Sequence, residues 1–443
     1  MKSDEMRNST MFVLRWCGVY NVSLNFLLFA IVLYLMMSPS VAICAEWQPI
    51  GPKGGNFIFS MTNPANANEV TAITTSPSPS NVYRSKDAGA SWSRIGEIPS
   101  SYVYDVSAFD FSTLYAITSS RCYRSTDGGV SWTAASMPSS TGWPYRVCAD
   151  PTDSSKVYAA GYIYDYYNYP YTYSMVFFKS TDGGLNWSAS SFFTFDSFYP
   201  YDMAISKSNP SIMYVSGYKQ VNKESFGALL QTLDGGNTWT DISSSVDAER
   251  YNYFRSVAID PTDQNKVYIG GTYFYRSTRE GRGNELSWVR NATRFNAYTI
   301  DIDPVEPSRI YAAGYESVSV STDYGQTWTI HGGCIRRSGQ HIEVAPADPS
   351  RIYVASYAGF YKSPDSGITW SSAHEGIYGA RIAALAEAPS TVIIQNSGFL
   401  MAYKQVRTAT WQDVVTPQSC GEVCDILIDP DNPDAVLILE GSG

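Results

Sequence analysis

The chain has 443 residues, with 41 acidic against 31 basic side chains and a formal charge of −10. It contains no run of basic residues, which excludes the cationic footprint that nucleic-acid binding requires. Hydrophobic residues make up 44% and charged residues 16%, a balance that excludes intrinsic disorder and points to a globular fold.

At the N-terminus, Lys2, Arg7 and Arg15 precede an apolar stretch from Leu24 to Met37, and small residues follow in SPSVAICA. This is the pattern of an export signal, and the stretch is shorter than the about 20 residues that span a bilayer. Residues 1–45 are therefore expected to be a signal peptide or an N-terminal membrane anchor. The remainder, 46–443, is expected outside the cytoplasm, in the periplasm, on the cell surface or in the medium. An uncleaved segment is the one membrane contact foreseen. Beyond the signal lie Cys122, Cys148, Cys334, Cys420 and Cys424, an odd set that leaves at least one thiol unpaired. Cys420 and Cys424 either close a small loop or stay free. Three histidines and the absence of a CxxC pair speak against zinc, so no metal and no cofactor are expected.

From Trp47 onward the tryptophans keep time. Trp47, Trp92, Trp132, Trp187, Trp239, Trp288, Trp328, Trp370 and Trp411 follow one another at intervals of 40 to 55 residues, a period of about 45 that suits a four-stranded propeller blade. Six of them close a repeated turn: SKDAGASW, STDGGVSW, STDGGLNW, TLDGGNTW, STDYGQTW and SPDSGITW, with Asp87, Asp127, Asp182, Asp234, Asp323 and Asp365 as the acidic member. Upstream of the turns run segments such as CADPTDSSKVYAAG and AIDPTDQNKVYIGG, whose β-branched and aromatic residues, broken by Asp-Pro, read as strand, turn, strand. Each unit thus predicts strands a, b, c and d, with the repeated turn between c and d. Asp would cap the amides of that turn and Gly would supply its positive φ. The tryptophans, Trp288 of a degraded copy included, are expected to pack between units.

S-x-D-x-G-x-x-W at this period resembles the Asp-box, or BNR-like, repeat of β-propellers, found in sialidases, xyloglucanases, sortilin ectodomains and photosystem II assembly factors. The resemblance covers residues 47 to about 440 and implies an all-β propeller of four-stranded antiparallel blades in which the box is structural. Eight tryptophans, Trp92 to Trp411, follow complete a-b-c sets, and strands a and b of a further blade come after Trp411. Seven to eight closed blades are expected, with a partial extra blade within 412–443; either the chain is cut short there or these last elements lie outside the ring. Trp47 starts an orphan strand d that would close the ring by pairing with C-terminal elements.

Strand parity assigns the faces. Boxes and a–b turns share one end of the propeller, and the b–c and d–a connections share the other. On that second end lie YIYDYYNYPYTYS (162–174), SFFTFDSFYPY (191–201), YKQVNKESFG (218–227) and DAERYNYF (247–254). Tyr166, Tyr167, Tyr169, Tyr171, Tyr199, Tyr251 and Tyr253 either form an aromatic rim for a glycan or peptide or pack on one another. Tyr145, Tyr201, Arg255, Tyr298 and, more loosely, His341 recur at the start of the inner strands. There they either ring the channel or reflect β-propensity.

A glycosidase needs two carboxylates about 5–9.5 Å apart. Asp165, Asp196, Asp202, Asp247, Glu249 and Glu316 lie on the appropriate end, and the sequence does not pair them. The stretch ITTSPSPSNVYRS, which matches the segment bearing the catalytic Asp of xyloglucanases, has no acidic residue, and no sialidase-type FRIP segment precedes the first box. The leading expectation is an exported, non-catalytic propeller that binds a protein or carbohydrate on its aromatic face. The alternative is a secreted glycoside hydrolase of the xyloglucanase or sialidase type. Oligomeric state is not written in the sequence.

Overall fold

The computed structural model describes residues 55–76, 79–100, 102–138, 142–165, 172–246, 250–278 and 286–374, together with the backbone of six strands between Ile382 and Gly441. The chain divides into Met1–Ile50, which lies outside the described residues along with Trp47, and Gly51–Gly443. Among its described residues the second unit is all β: eight four-stranded antiparallel sheets and a final two-stranded one, interrupted by a single helical turn, Ser243–Val246.

Seven of these sheets form a closed ring. Their first strands are Asn56–Asn63, Asp105–Ala108, Trp143–Ala149, Ser197–Ile205, Phe254–Ile259, Thr299–Ile302 and Gly339–Val344, here the inner strands of blades 1 to 7. Each packs on the inner strand of the next blade, and Asn56–Asn63 returns to pack on blade 7. The all-β propeller read from the sequence is thus correct, and of the seven to eight closed blades expected there are seven. The eighth sheet, Ile382–Val414, lies outside the ring and packs its first strand on the two-stranded sheet, Glu422–Gly441. Trp411–Val414 is the outer strand of that eighth sheet, so the partial blade begins later than 412. Closure by an orphan strand is also corrected: blades 1 and 7 each draw all four strands from their own stretch of chain. A ring of whole blades closes by side-chain packing at the seam and needs no shared strand. Trp92 Nε1 donates to the Ala373 carbonyl at 2.7 Å while its ring meets Phe360 edge-on at 5.2 Å.

The repeated turns make the same bonds each time. In blade 3, Ser180 Oγ donates to Asp182 Oδ1 and accepts from Gly184 N, each at 2.8 Å, while Asn186 donates its backbone N–H to Oδ1 at 2.9 Å and its amide to Oδ2 at 2.6 Å. The glycine three residues before the tryptophan faces the preceding blade: Gly184 lies over Tyr115, Gly236 over Phe177, Gly325 over Phe274 and Gly367 over Val320 and Tyr311. The tryptophans add apolar area at these joints, where Trp239 packs with Phe177, Met203 and Met213 in a buried cluster drawn from two blades. In blade 5, whose box is degraded, Ser277 Oγ instead donates to Asn265 O at 2.7 Å and accepts from Val267 N at 2.8 Å.

Two segments expected as loops are strands. SFFTFDSFYPY is the end of Ser188–Phe195 and the start of Ser197–Ile205, joined by Asp196 alone. YKQVNKESFG is a hairpin in which Met213–Val221 and Glu224–Thr232 meet at Asn222-Lys223, both at positive φ, as a two-residue type I′ turn requires. The long strands raise the tyrosine-rich end of blades 3 and 4 above the body of the ring.

Candidate functional site

On the end opposite the boxes, every blade contributes to one cavity of about 390 Å³ at the mouth of the central channel. The contribution comes from one position of the inner strand. In blades 1, 3, 4, 5 and 7 the pairing of strands a and b skips a residue there: Ile58, Tyr145, Tyr201, Arg255 and Gln340. A β-bulge re-aims its side chain out of the ladder, and all five of these residues line the cavity. Tyr104 and Tyr298 line it from blades 2 and 6. Glycines on strand b make room for the bulge in blades 3, 4 and 5: at Gly161, Gly217 and Gly271 a Cβ would overlap the carbonyl oxygens of Trp143, Tyr199 and Tyr253, and Gly314, just past strand b of blade 6, lies as close to the Asn296 carbonyl.

Just inside the bulge lies a second layer that ties the blades to one another. The backbone N–H of Val147 donates to Asp105 Oδ2 at 2.9 Å, that of Val257 to Asp202 Oδ2 at 3.0 Å, and that of Val344 to Asp301 Oδ2 at 2.7 Å. Glu343 Oε1 closes the circuit, accepting from Thr62 N at 2.7 Å and Thr62 Oγ1 at 2.9 Å. In each case an acid on one inner strand holds the next blade. Burial pushes Asp202 and Asp301 up to about 6 against these hydrogen bonds, and pushes Glu343 up to about 8. It raises Asp105 as well, opposed by the neighbouring Arg146. His341, whose Nδ1 lies 3.2 Å from Ser60 Oγ, is pulled down to about 4 by burial.

Two arginines face the cavity and differ in their partners. Arg146 is tied down by backbone carbonyls, those of Tyr201 and Tyr104 among them. Arg255 lies between two rings, 4.5 Å from the Tyr201 centroid and 5.5 Å from that of Tyr298, and among the described residues it makes no hydrogen bond or ion pair. Its five N–H donors remain available to a ligand.

Beside the cavity opens a groove of about 340 Å³ lined by Tyr104, Ser119, Trp143, Tyr145, Tyr162, Tyr164, Tyr173 and Tyr199. Tyr104 and Tyr145, stacked at 4.9 Å, belong to both spaces. Tyr162 meets Tyr199 at 4.7 Å, and Tyr199 stacks on its cross-strand partner Tyr218 at 5.7 Å. Tyr218 in turn meets Tyr253 at 5.2 Å. Burial and the neighbouring Tyr199 phenol raise Tyr173 to about 12 and Tyr162 still further, so these rings present neutral hydroxyls.

Of the residues singled out in the sequence, Tyr145, Tyr201, Arg255, Tyr298 and His341 come together at the cavity, and Tyr199 lies in the groove. Tyr251 is 68% exposed and apart from both. Tyr166, Tyr167, Tyr169, Tyr171, Asp247 and Glu249 lie outside the described residues. Asp202 is engaged by Val257 N, as above, and Asp196 Oδ2 accepts from Lys223 N at 3.0 Å, holding the neighbouring hairpin. Asp165 ends the second strand of blade 3, and Glu316 sits in the b–c turn of blade 6. Cys122, Cys148 and Cys334 are free thiols, and the side chains of Cys420 and Cys424 lie outside the described residues. Sequence reading missed Tyr104, Tyr162, Tyr164, Tyr173, Tyr218 and Arg146. Tyr162, Tyr164, Tyr173 and Tyr218 lie on the long second and third strands of blades 3 and 4, inside segments that the sequence reads as loops, and no local signal marks Tyr104 or Arg146.

No protein-family model matches the chain, and no curated protein matches it. Among solved structures it is similar to the GH74 enzyme of Niastella koreensis at 15% identity, with 88% of this chain and 70% of that one covered and a TM-score of 0.57. It is also similar to YCF48 from Cyanidioschyzon merolae (14% identity, 71% and 97% covered, TM-score 0.51) and to YCF48 bound to D1 peptide (14% identity, 72% and 94% covered, TM-score 0.50). At these identities the likeness establishes the propeller fold alone. The propeller expected from the repeat is correct as a fold, with both GH74 and YCF48 propellers among the structural neighbours.

Proposed function

We propose that this protein is an exported, non-catalytic propeller that binds an extended segment of another protein across its tyrosine-lined end. The observation that carries the reading is the groove walled by Tyr145, Tyr162, Tyr173 and Tyr199, which runs into a cavity where Arg255 has donors to spare. Rigid aromatic walls bury area at low entropic cost, and hydroxyl tips can accept and donate to a peptide backbone. A guanidinium between two rings pairs with a carboxylate, so acidic segments are favoured in a protein whose overall charge would otherwise repel them. A neighbouring fold, YCF48, was solved bound to a peptide, which makes this use of a propeller reasonable here. The acids beside the cavity are spent on joining blades, which speaks for binding over hydrolysis.

The test is an array of random-sequence linear peptides and a glycan array, both probed with the purified full chain. Acidic peptides should be retained, and Tyr162→Ala or Tyr199→Ala should weaken retention about tenfold, roughly 1.4 kcal/mol. Arg255→Gln should remove the preference for acidic sequences. Retention of glycans with no peptide bound would overturn the reading in favour of a carbohydrate ligand.

A further inference from the structure

Among the described residues, the large apolar side chains that stay exposed are sorted by end of the ring. On the box end most are aliphatic, as at Val130, Leu185, Leu233, Val305 and Ile368, and each lies within three residues of a carboxylate such as Asp127, Asp182, Asp234, Asp303 or Asp365. On the opposite end they are mainly aromatic. Tyr102 is 49% exposed, Trp143 43%, Tyr251 68% and Tyr315 50%, and they stand on blades 2, 3, 5 and 6 respectively. Exposed basic residues, Arg121, Lys223 and Arg294, lie on connections of this same end. The two ends therefore differ in the kind of apolar residue they expose, while carboxylates such as Asp196 and Glu316 share the aromatic end with these basic residues.

From these placements we infer that the aromatic end is a surface that rests on a lipid bilayer. Tyrosine and tryptophan are the side chains that settle at the boundary between headgroups and hydrocarbon, with a polar tip in water and a ring below it. Single rings spread over blade after blade suit a flat partner. Lys and Arg among them are drawn to anionic headgroups, each by about 1 kcal/mol. Chain connectivity leads to the same end. Inner strands begin on the aromatic side, so the ring is entered there at Asn56, and residues 38–55 join it to the apolar stretch Leu24–Met37. Where that stretch is retained, it tethers the chain to a membrane. The inference shares its face with the proposed peptide groove and also rests on the export reading, but it is read out by lipid contact and the peptide binding by capture in lipid-free solution, so either can fail alone.

The experiment uses the full chain in vesicles of equal parts phosphatidylcholine and phosphatidylglycerol whose acyl chains carry bromine, which quenches indole emission on contact. Trp16→Phe and Trp47→Phe are introduced first to silence the N-terminal segment. Quenching should persist in that background, should be lost when Trp143→Phe is added, and should fall when Tyr251→Ser and Tyr315→Ser are introduced together. Leu185→Ser on the box end should change nothing. Thermal unfolding of each variant shows that the ring is intact. Absence of quenching in the Trp16 and Trp47 background, or quenching that survives Trp143→Phe, would overturn the inference.

Discussion

At Gly217, strand b of blade 4 runs so close to strand a that a Cβ would overlap the Tyr199 carbonyl oxygen. The glycine has no positive φ to justify it, so its role is purely spatial: it lets Tyr201 bulge out of the ladder and reach the cavity while Asp202 bonds to blade 5. Gly217→Ala must push the two strands apart, and is expected to cost about 2–4 kcal/mol in denaturant unfolding, within the range of severe overpacking. Asp182→Ala offers a scale for comparison. Its carboxylate, held down to about 2 chiefly by hydrogen bonds from Asn186, stabilises one exposed turn, and losing it should cost about 1–2 kcal/mol. A Gly217→Ala variant milder than Asp182→Ala would refute this account of the bulge. The two residues also differ in how visible they are in the sequence. Asp182 belongs to a motif whose partners lie within six residues, and local chemistry repeats legibly. Gly217 answers to a carbonyl on another strand, and nothing local distinguishes it from any other glycine within a strand.

Between residue and ring stands the blade, and the box turn acts at this scale as a joint as well as a hairpin. Gly235 and Gly236 both have positive φ, 71° and 84°. Around Gly235 there is open space, whereas a Cβ on Gly236 would run into the Phe177 ring of blade 3. Gly235→Ala should therefore cost only the left-handed penalty, about 1–2 kcal/mol, and Gly236→Ala that penalty plus the displacement of a buried ring, about 3–4 kcal/mol together. Thermal unfolding of the two variants measures the difference, and equal midpoints would mean that the turn does not bear on the neighbouring blade. Strand order within a blade was readable because period-two alternation and Asp-Pro turns are local signals. The raised hairpins of blades 3 and 4 were not. A run such as SFFTFDSFYPY reads as a loop until its tyrosines find cross-strand partners, as Tyr199 finds Tyr218 and Tyr173 finds Tyr164. Those pairings decide the shape of the groove, and they depend on register that no single strand encodes.

The whole ring depends on the seam between blades 7 and 1, the one joint whose partners are farthest apart in the chain. Glu343 carries it by accepting two bonds from Thr62, and burial pushes its carboxyl up to about 8. In the unfolded chain a glutamate titrates near 4.3. Between that value and about 8 the native state holds the extra proton, so raising the pH through this window costs stability. Asp202 and Asp301, raised to about 6, act in the same direction over the lower part of the window. His341, pulled down to about 4, acts oppositely: the unfolded chain takes up its proton first as pH falls below about 6.5. Box aspartates such as Asp87 and Asp127, held at about 2, add stability that is lost as pH falls from about 4 toward 2. Asp105, which burial raises as well, acts in the same direction as Glu343. The thermal midpoint should consequently fall between about pH 6 and pH 8, a range in which an ordinary acidic protein is insensitive. Glu343→Gln keeps an oxygen to accept from Thr62 and removes the titration, so it should flatten that limb while leaving the acid limb below about pH 4 in place. If the Gln variant lost midpoint between pH 6 and pH 8 as steeply as the natural chain, the seam acid would not be the source. The closed ring would then owe its alkaline weakness to some other buried group.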